Sequence, residues 1–220
     1  NLDFEKERLN STFQTAFANT EEYPSRLERV TSYMEYFERE AASAERNLDQ
    51  NSQALVYKQL NRLISESSNS VMPLAQRLDV AEQALQHSAY PETVGQGNNN
   101  TCNVTVLEHR IYWRTPDKNI QALADIGQTG KFTLASGIEV NLLNAEGRLP
   151  MDYASKQNLL RQGLGATHKL KTEGTRDYSS ELLQTTMVNA QWAKETVMVD
   201  GEGRWLSLDD KTMRYNQEGS

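Results

Sequence analysis

Residues 27–48 read LERVTSYMEYFEREAASAERNL, and their apolar side chains recur at helical spacing. Alternating steps of three and four residues separate the apolar positions, which are Leu27, Val30, Met34, Phe37, Ala41, Ala44 and Leu48. This is the a/d pattern of a helix that packs lengthwise against another helix. The stretch therefore predicts a long helix, and these seven side chains form its candidate contact seam.

Two interpretations of the seam stay open. In the first, the seam packs against other helices of this chain; in the second, it pairs with a second chain. Ala41 and Ala44 permit close approach, and Tyr33, Tyr36 and Tyr57 add the aromatic area that is common at protein interfaces. The candidate interface residues are the same under both interpretations.

The pattern also predicts the start of this helix and the elements around it. Pro24 precedes Ser25 and Glu28, which have the spacing of a capping box, and the helical pattern continues to about Ile64. The apolar repeat changes phase after Leu48, so we expect a kink or break near 49–53. A shorter helix is expected within 1–20, and another over 72–88, folded back antiparallel on its neighbour.

A polar, Gly-rich and Asn-rich stretch at 91–102 predicts a linker between a helical region, 1–90, and a small α+β domain, 103–220. In the second domain we expect about five strands, within 104–113, 131–134, 138–142, 196–199 and 205–208. Short helices are expected over 119–126, 151–162 and 179–194. The predicted fold class is thus α+β: an N-terminal antiparallel helical hairpin or bundle with one long helix, then a small, mostly antiparallel sheet with packed helices.

The composition excludes several classes of function. The 220 residues carry a formal net charge of -7, and no run of Lys or Arg is present, which argues against a nucleic-acid partner. No apolar stretch is long enough for a membrane span. Cys102 is the single cysteine, so neither a disulfide within the chain nor a CxxC site can form.

The motifs give no catalytic or metal-binding constellation. Gly127–Thr133 resembles a phosphate loop, but Asp125 stands where its first glycine belongs and Phe132 where its hydroxyl belongs. His87, His109 and His168 are not paired at metal-binding spacing. The carboxylates at 200–202 and 209–210 are typical of polar turns. We therefore expect no catalytic residues, no cofactor and no metal, and a protein that is not an enzyme. The alternative that stays open is a hydrolase whose site is assembled from residues scattered along the chain.

The segments 134–141 and 147–154 resemble the end of one ankyrin repeat and the start of the next. The distance from Pro150 to Leu159 is about two helical turns too short for the helix pair of that repeat. The same residues therefore favour a β-hairpin.

These observations lead to two expectations about function. The first is a non-enzymatic interaction or assembly protein that contacts a protein partner, or a second copy of itself, through the N-terminal helix. The alternative is a ligand-sensing domain of a membrane receptor, with a pocket between sheet and helices near Tyr112, Trp113 and Trp192. The start at Asn1 and the single cysteine favour an extracytoplasmic setting such as the bacterial cell envelope.

Overall fold

The computed structural model describes residues 1–65, 69–95, 102–143, 146–149 and 176–194. These ranges contain seven α-helices, a short 3-10 turn at Pro91–Thr93 and a two-stranded antiparallel sheet. The helices are α1 (Leu2–Phe17), α2 (Tyr23–Ala41), α3 (Gln50–Ile64), α4 (Leu74–Ala89), α5 (Cys102–Arg114), α6 (Pro116–Thr129) and α7 (Tyr178–Lys194). The strands are β1 (Lys131–Thr133) and β2 (Glu139–Asn141). The predicted combination of helices with a small antiparallel sheet is confirmed.

The helical pattern expected from Ser25 to about Ile64 is divided into two helices, since α2 ends at Ala41 and α3 starts at Gln50. A break is present, but it covers 42–49 rather than 49–53. Asn47 adopts a left-handed conformation with φ 50°, and the backbone N–H of Leu48 donates to the carbonyl of Ala41. Asp49 then caps α3 by accepting a hydrogen bond from Ser52 N at 2.7 Å.

Arg46 holds this break in place. Its guanidinium is buried and donates to the carbonyls of Ser88, Tyr112 and Trp113, at the ends of α4 and α5. These carbonyls lack partners within their own helices, so the arginine satisfies groups that helix ends leave unpaired. Burial lowers the pKa of Arg46 to about 10. The segment after α2 is thus shaped by contacts with distant parts of the chain.

The predicted capping box at Ser25 and Glu28 is also wrong. Helix α2 starts at Tyr23, with Pro24 in its first turn, where a missing N–H costs nothing. The Ser25 hydroxyl donates instead to the carbonyl of Glu22 at 3.0 Å. The helix therefore begins two residues before the expected position.

The N-terminal helices bury regularly spaced apolar side chains. The sequence places Phe4, Leu9, Phe13 and Phe17 on one face of the first helix. Leu9, Phe13 and Phe17 are fully buried, whereas Phe4 is 62% exposed. Helix α3 packs against α1 and α6, and α2 packs against α4. Arg26 of α2 pairs with Glu82 and with Asp79 of α4, the latter at 2.9 Å. The expected antiparallel course of the helices within this bundle stays a prediction.

The predicted strand over 104–113 is wrong, because these residues belong to α5. Val104 and Val106 alternate as in a strand, but Val104, Glu108 and Tyr112 are the buried positions, and they recur every four residues. The buried polar residue Glu108 conceals this helical period from a reading based on apolar residues alone.

The predicted hairpin around Ala135–Gly137 is confirmed. Its register pairs Phe132 with Val140, and Gly130 ends α6 in the left-handed conformation, with φ 71°. The helices expected over 119–126 and 179–194 are present as α6 and α7.

Other expectations cannot be placed. The helix at 151–162 and the strands at 196–199 and 205–208 lie outside the described residues. Helix α6, beyond the expected linker, packs on α3 and α4, and the division into two domains stays a prediction. Among the described residues, no helix combines the length and apolar composition that a bilayer span requires.

Candidate functional site

The candidate site is a cavity of about 410 Å³ enclosed by α5, α6, α7 and the β-hairpin. Helices α5 and α6 contribute Val104, Leu107, Ile111, Lys118, Asn119 and Ala122. The hairpin and α7 contribute Phe132, Leu134, Leu183, Thr186, Met187 and Ala190. Nine of these twelve side chains are apolar, so the walls favour an apolar occupant.

Helical spacing explains why two walls of the cavity are continuous. Val104, Leu107 and Ile111 are separated by three and four residues, which places them on one face of α5. Leu183, Met187 and Ala190 recur in the same way along α7. The two faces supply most of the apolar surface.

The hairpin forms the remaining wall because Gly130 reverses the chain directly after α6. Its left-handed φ of 71° lets the chain turn into β1, and Leu142 N donates back to the Gly130 carbonyl at 2.8 Å. A Cβ atom at this position would lie closer to Cδ2 of Leu143 than real Cβ contacts allow. Glycine is thus favoured by the backbone conformation, and a larger residue here would also force the Leu143 side chain to move.

Two of the three polar side chains on the walls are already hydrogen-bonded within the protein. Asn119 Nδ2 donates to the Glu108 carbonyl at 3.1 Å, and the Thr186 hydroxyl donates to the Leu182 carbonyl at 2.7 Å. Lys118 differs: its ammonium lies 3.6 Å from Oδ2 of Asp117, and 64% of its side chain is exposed. Lys118, in an ion pair with Asp117, therefore places its ammonium group at the solvent edge of an otherwise apolar cavity.

A second feature, the polar junction, lies where α4, α5 and the start of α7 meet. We define it by His87, Thr93, Glu108, Asp177, Ser180 and Gln184. His87 Nδ1 lies 2.7 Å from the Thr93 hydroxyl, and its Nε2 lies 2.5 Å from Oδ2 of Asp177. His87 is completely buried, and its contact with Thr93 is buried, whereas the contact with Asp177 is partly buried.

The hydrogen bonds of Thr93 determine which group donates at Nδ1 of His87. The Thr93 hydroxyl donates its proton to the Tyr90 carbonyl at 2.6 Å, so Nδ1 of His87 must be the donor toward Thr93. Asp177 caps α7 by accepting from Ser180 N and from the Ser179 hydroxyl through Oδ1, which stabilises its carboxylate form. The other ring nitrogen, Nε2, faces Oδ2 of Asp177 and completes the link between the two helix ends.

His87 and Asp177 lie at opposite kinds of helix terminus. His87 lies in the last turn of α4, and Asp177 directly precedes α7. A positive charge is favoured at a helix C-terminus and a negative charge at an N-terminus. The ion pair therefore joins the ends of two helices with the matching polarity.

Glu108 is the second carboxylate of the polar junction. It accepts hydrogen bonds from the Ser180 hydroxyl and from Gln184 Nε2, both at 2.8 Å. Burial raises the pKa of Glu108 to about 6, although the nearby charge of His87 and these hydrogen bonds act in the opposite direction. Tyr112 lies next to the junction, its ring centroid 5.4 Å from that of His87, and burial raises its pKa well above the ordinary value.

Helix α7 belongs to both features. Its first turns carry Ser180 and Gln184 into the polar junction, while Leu183 and Met187 line the cavity. A change in how α7 sits would therefore alter both places together.

The predicted seam residues lie away from this site. Val30, Met34, Phe37 and Ala41 are buried in the core of this chain, which is the packing that the intramolecular interpretation expects. Leu27 and Leu48 are half-buried at the edge of the same core, and Ala44 is exposed in the turn after α2.

Two of the residues expected around a sensor pocket, Tyr112 and Trp113, lie outside the cavity. Tyr112 faces His87, and the Trp113 ring lies 5.5 Å from the Arg46 guanidinium, so neither lines the cavity. The Trp192 side chain lies outside the described residues. Sequence reasoning missed the lining residues, although the spacing of Leu183, Met187 and Ala190 was a usable signal.

The other sequence candidates have structural roles where they are described. Gly127–Thr129 form the last turn of α6, and Asp125 pairs with Arg62 of α3. His109 and Cys102 are exposed on α5. Within the described part of the chain, no group of three or more His, Cys, Asp or Glu side chains is arranged to hold a metal ion. His168 and the carboxylates at 200–210 lie outside the described residues.

Fold and site together define a mostly helical protein with a small antiparallel hairpin and an apolar cavity at their junction. The sequence matches no known protein-family model, and it has no significant match among curated proteins or solved structures.

Proposed function

We propose that this protein is a ligand-binding domain that holds a small, mostly apolar molecule in the cavity between the hairpin and helices α5–α7. The cavity itself is the observation that carries the proposal. Its volume of about 410 Å³ lies within the range of small-molecule sites, roughly 300–1,000 Å³. Asn119 Nδ2 donates to the Glu108 carbonyl and the Thr186 hydroxyl donates to the Leu182 carbonyl, so both of these hydrogen bonds are made without a ligand.

The proposal also identifies the element that would respond to the ligand. Leu183, Met187 and Ala190 place one face of α7 against the occupant. The same helix is held by the polar junction through Asp177 and Ser180. Binding would stabilise the docked position of α7, and this is how a sensing domain could pass on the presence of its ligand.

The test uses 1-octanol as a neutral apolar probe, measured by titration calorimetry and by thermal unfolding. Binding should raise the melting temperature, because a ligand that binds only the folded state stabilises it by about 2.7 kcal/mol at 100 times its dissociation constant. Ala190→Phe and Ala122→Phe should remove the binding, because each fills the cavity with a ring.

Ala75→Phe makes the same change at an exposed position of α4 and is the matched control; it should bind as the wild type does. Circular dichroism spectra would verify that all variants remain folded. The proposal is wrong if the wild type shows no binding heat and no thermal shift, or if both filled variants bind unchanged.

Contact with a partner protein is a second candidate function, supported by an exposed surface of α5 that adjoins the cavity at Leu107. Val106 and Leu107 are neighbours on α5 with 67% and 45% of their surface exposed, which is unusual for adjacent large apolar residues. Light scattering over a concentration series would detect self-association, and Val106→Lys should reduce it if this surface is used. Val106 does not line the cavity, so the same variant should leave octanol binding intact.

A further inference from the structure

We infer that the ligand of this cavity is a medium-chain amphiphile with one anionic head, its apolar chain inside the cavity and its carboxylate at Lys118. This inference rests on the proposed function and names the chemical class of its ligand. Three observations carry it: the size of the cavity, the state of its polar groups and the position of the one charged side chain among its described walls.

The volume of the cavity limits the length of the ligand's hydrocarbon chain. One water-sized group occupies about 30 Å³ in a liquid, so a cavity of about 410 Å³ holds about a dozen non-hydrogen atoms. A straight chain of eight to ten carbons with a carboxylate is of this size.

The residues that line the cavity favour a ligand that is apolar along most of its length. Phe132, Leu183 and Met187 offer carbon and sulfur surface, and the thioether of Met187 adapts to chains of different shape. The Asn119 amide and the Thr186 hydroxyl donate to backbone carbonyls. A ligand with polar groups along its length would therefore find few partners inside.

Lys118 selects the head group. Its ammonium lies 3.6 Å from Oδ2 of Asp117, which is longer than a hydrogen bond, so it can still donate to a ligand carboxylate. Its stem lines the cavity while 64% of the side chain is exposed, which places the charge at the water side of the mouth. Lys118 is also in the first turn of α6, where the helix dipole favours an anion.

The experiment compares octanoate, 1-octanol and octylammonium, three probes with the same chain and different head charges, by titration calorimetry at pH 7. Wild-type protein should bind octanoate more tightly than octylammonium. Lys118→Met should weaken octanoate binding about three- to fivefold, the range expected for a partly exposed ion pair, and should leave octanol binding within twofold.

Lys58→Met removes an exposed lysine from α3, away from the cavity, and is the matched control. Octanoate affinity should be unchanged in this variant. Loss of affinity in both lysine variants, or an octanoate affinity that Lys118→Met leaves unchanged, overturns the inference. If 1-octanol still binds in that case, the proposed cavity function stands. If none of the three probes binds, both the inference and the proposed function are wrong.

Discussion

The imidazole Nε2 of His87 lies 2.5 Å from Oδ2 of Asp177, although ninety positions of sequence separate the two residues. His87 closes the last turn of α4 and Asp177 caps the start of α7, so this one ion pair joins two helices end to end. Since α7 lines the cavity, the pair also helps to fix one of the cavity walls.

Replacing His87 should destabilise the protein. His87→Ala leaves the Asp177 carboxylate without its buried partner, and breaking such a pair costs about 3 kcal/mol. His109→Ala removes an exposed histidine from α5 and should change the free energy of unfolding by less than about 0.5 kcal/mol. Urea denaturation of both variants measures the difference. Equal losses in the two variants would contradict the role assigned to the pair.

Glu108 should make the stability depend on pH. Its pKa is about 6 in the folded protein against an ordinary 4.5, so the folded state binds the proton more tightly than the unfolded state does. The stability that this group contributes is fully present below pH 4.5 and is lost as the pH rises through 6. The difference of 1.5 pKa units corresponds to about 2 kcal/mol.

Glu108→Gln should remove this pH dependence. The free energy of unfolding, measured in urea between pH 4.5 and 6.5, should then fall less with rising pH than in the wild type. Glu139→Gln makes the same change at an exposed position of β2 and is the matched control. A pH profile of Glu108→Gln that parallels the wild type would refute the assignment.

Arg46 should be one of the most sensitive positions of the helical region. Arg46→Met leaves the carbonyls of Ser88, Tyr112 and Trp113 without their donors, and we expect a loss of about 3 kcal/mol. Arg46→Lys should recover only part of this loss, because an ammonium cannot reproduce the planar fork of a guanidinium. Arg8→Met removes an arginine whose side chain is 52% exposed and should have little effect in the same denaturation experiment.

Alanine substitutions at Gly130 and Gly137 separate the cost of packing from the cost of backbone strain. Both have positive φ, 71° and 85°, so alanine at either position costs about 1 kcal/mol in conformation alone. At Gly130 the added Cβ also collides with Leu143, whereas at Gly137 no heavy atom lies within 4 Å. Gly130→Ala should therefore lower the melting temperature further than Gly137→Ala. Equal melting temperatures would show that Leu143 moves away at no cost.

The sequence correctly predicted those helices and strands that are specified by residues close together in the chain. Leu9, Phe13 and Phe17 identify α1 by their spacing, and the helix expected over 119–126 is present within α6, which continues to Thr129. The turn residues at 135–137 predicted the hairpin correctly. The burial of Val30, Met34, Phe37 and Ala41 also agrees with their periodicity.

The sequence prediction was wrong for α5, where a polar residue occupies a buried position of the helix. Glu108 lies on the buried face of α5, where it pairs with Ser180 and Gln184 from a helix more than seventy positions away. An analysis that counts only apolar residues predicts a strand over 104–113, because Val104 and Val106 are two positions apart. The break after Ala41 was misplaced for a similar reason, since Arg46 is held by carbonyls of α4 and α5.

The sequence by itself determined which segments form helices and the hairpin wherever apolar spacing, turn residues and glycine act within a few positions of one another. Tertiary structure alone decided the cavity and the polar junction. Their walls and partners come from segments far apart in the chain, and neither the spacing within one segment nor its composition specifies which surface of another segment it will meet. Burial makes Glu108, His87 and Arg46 dependent on their hydrogen-bond partners, because polar groups removed from water must be paired within the protein. The folded chain brings those partners from distant positions in the sequence.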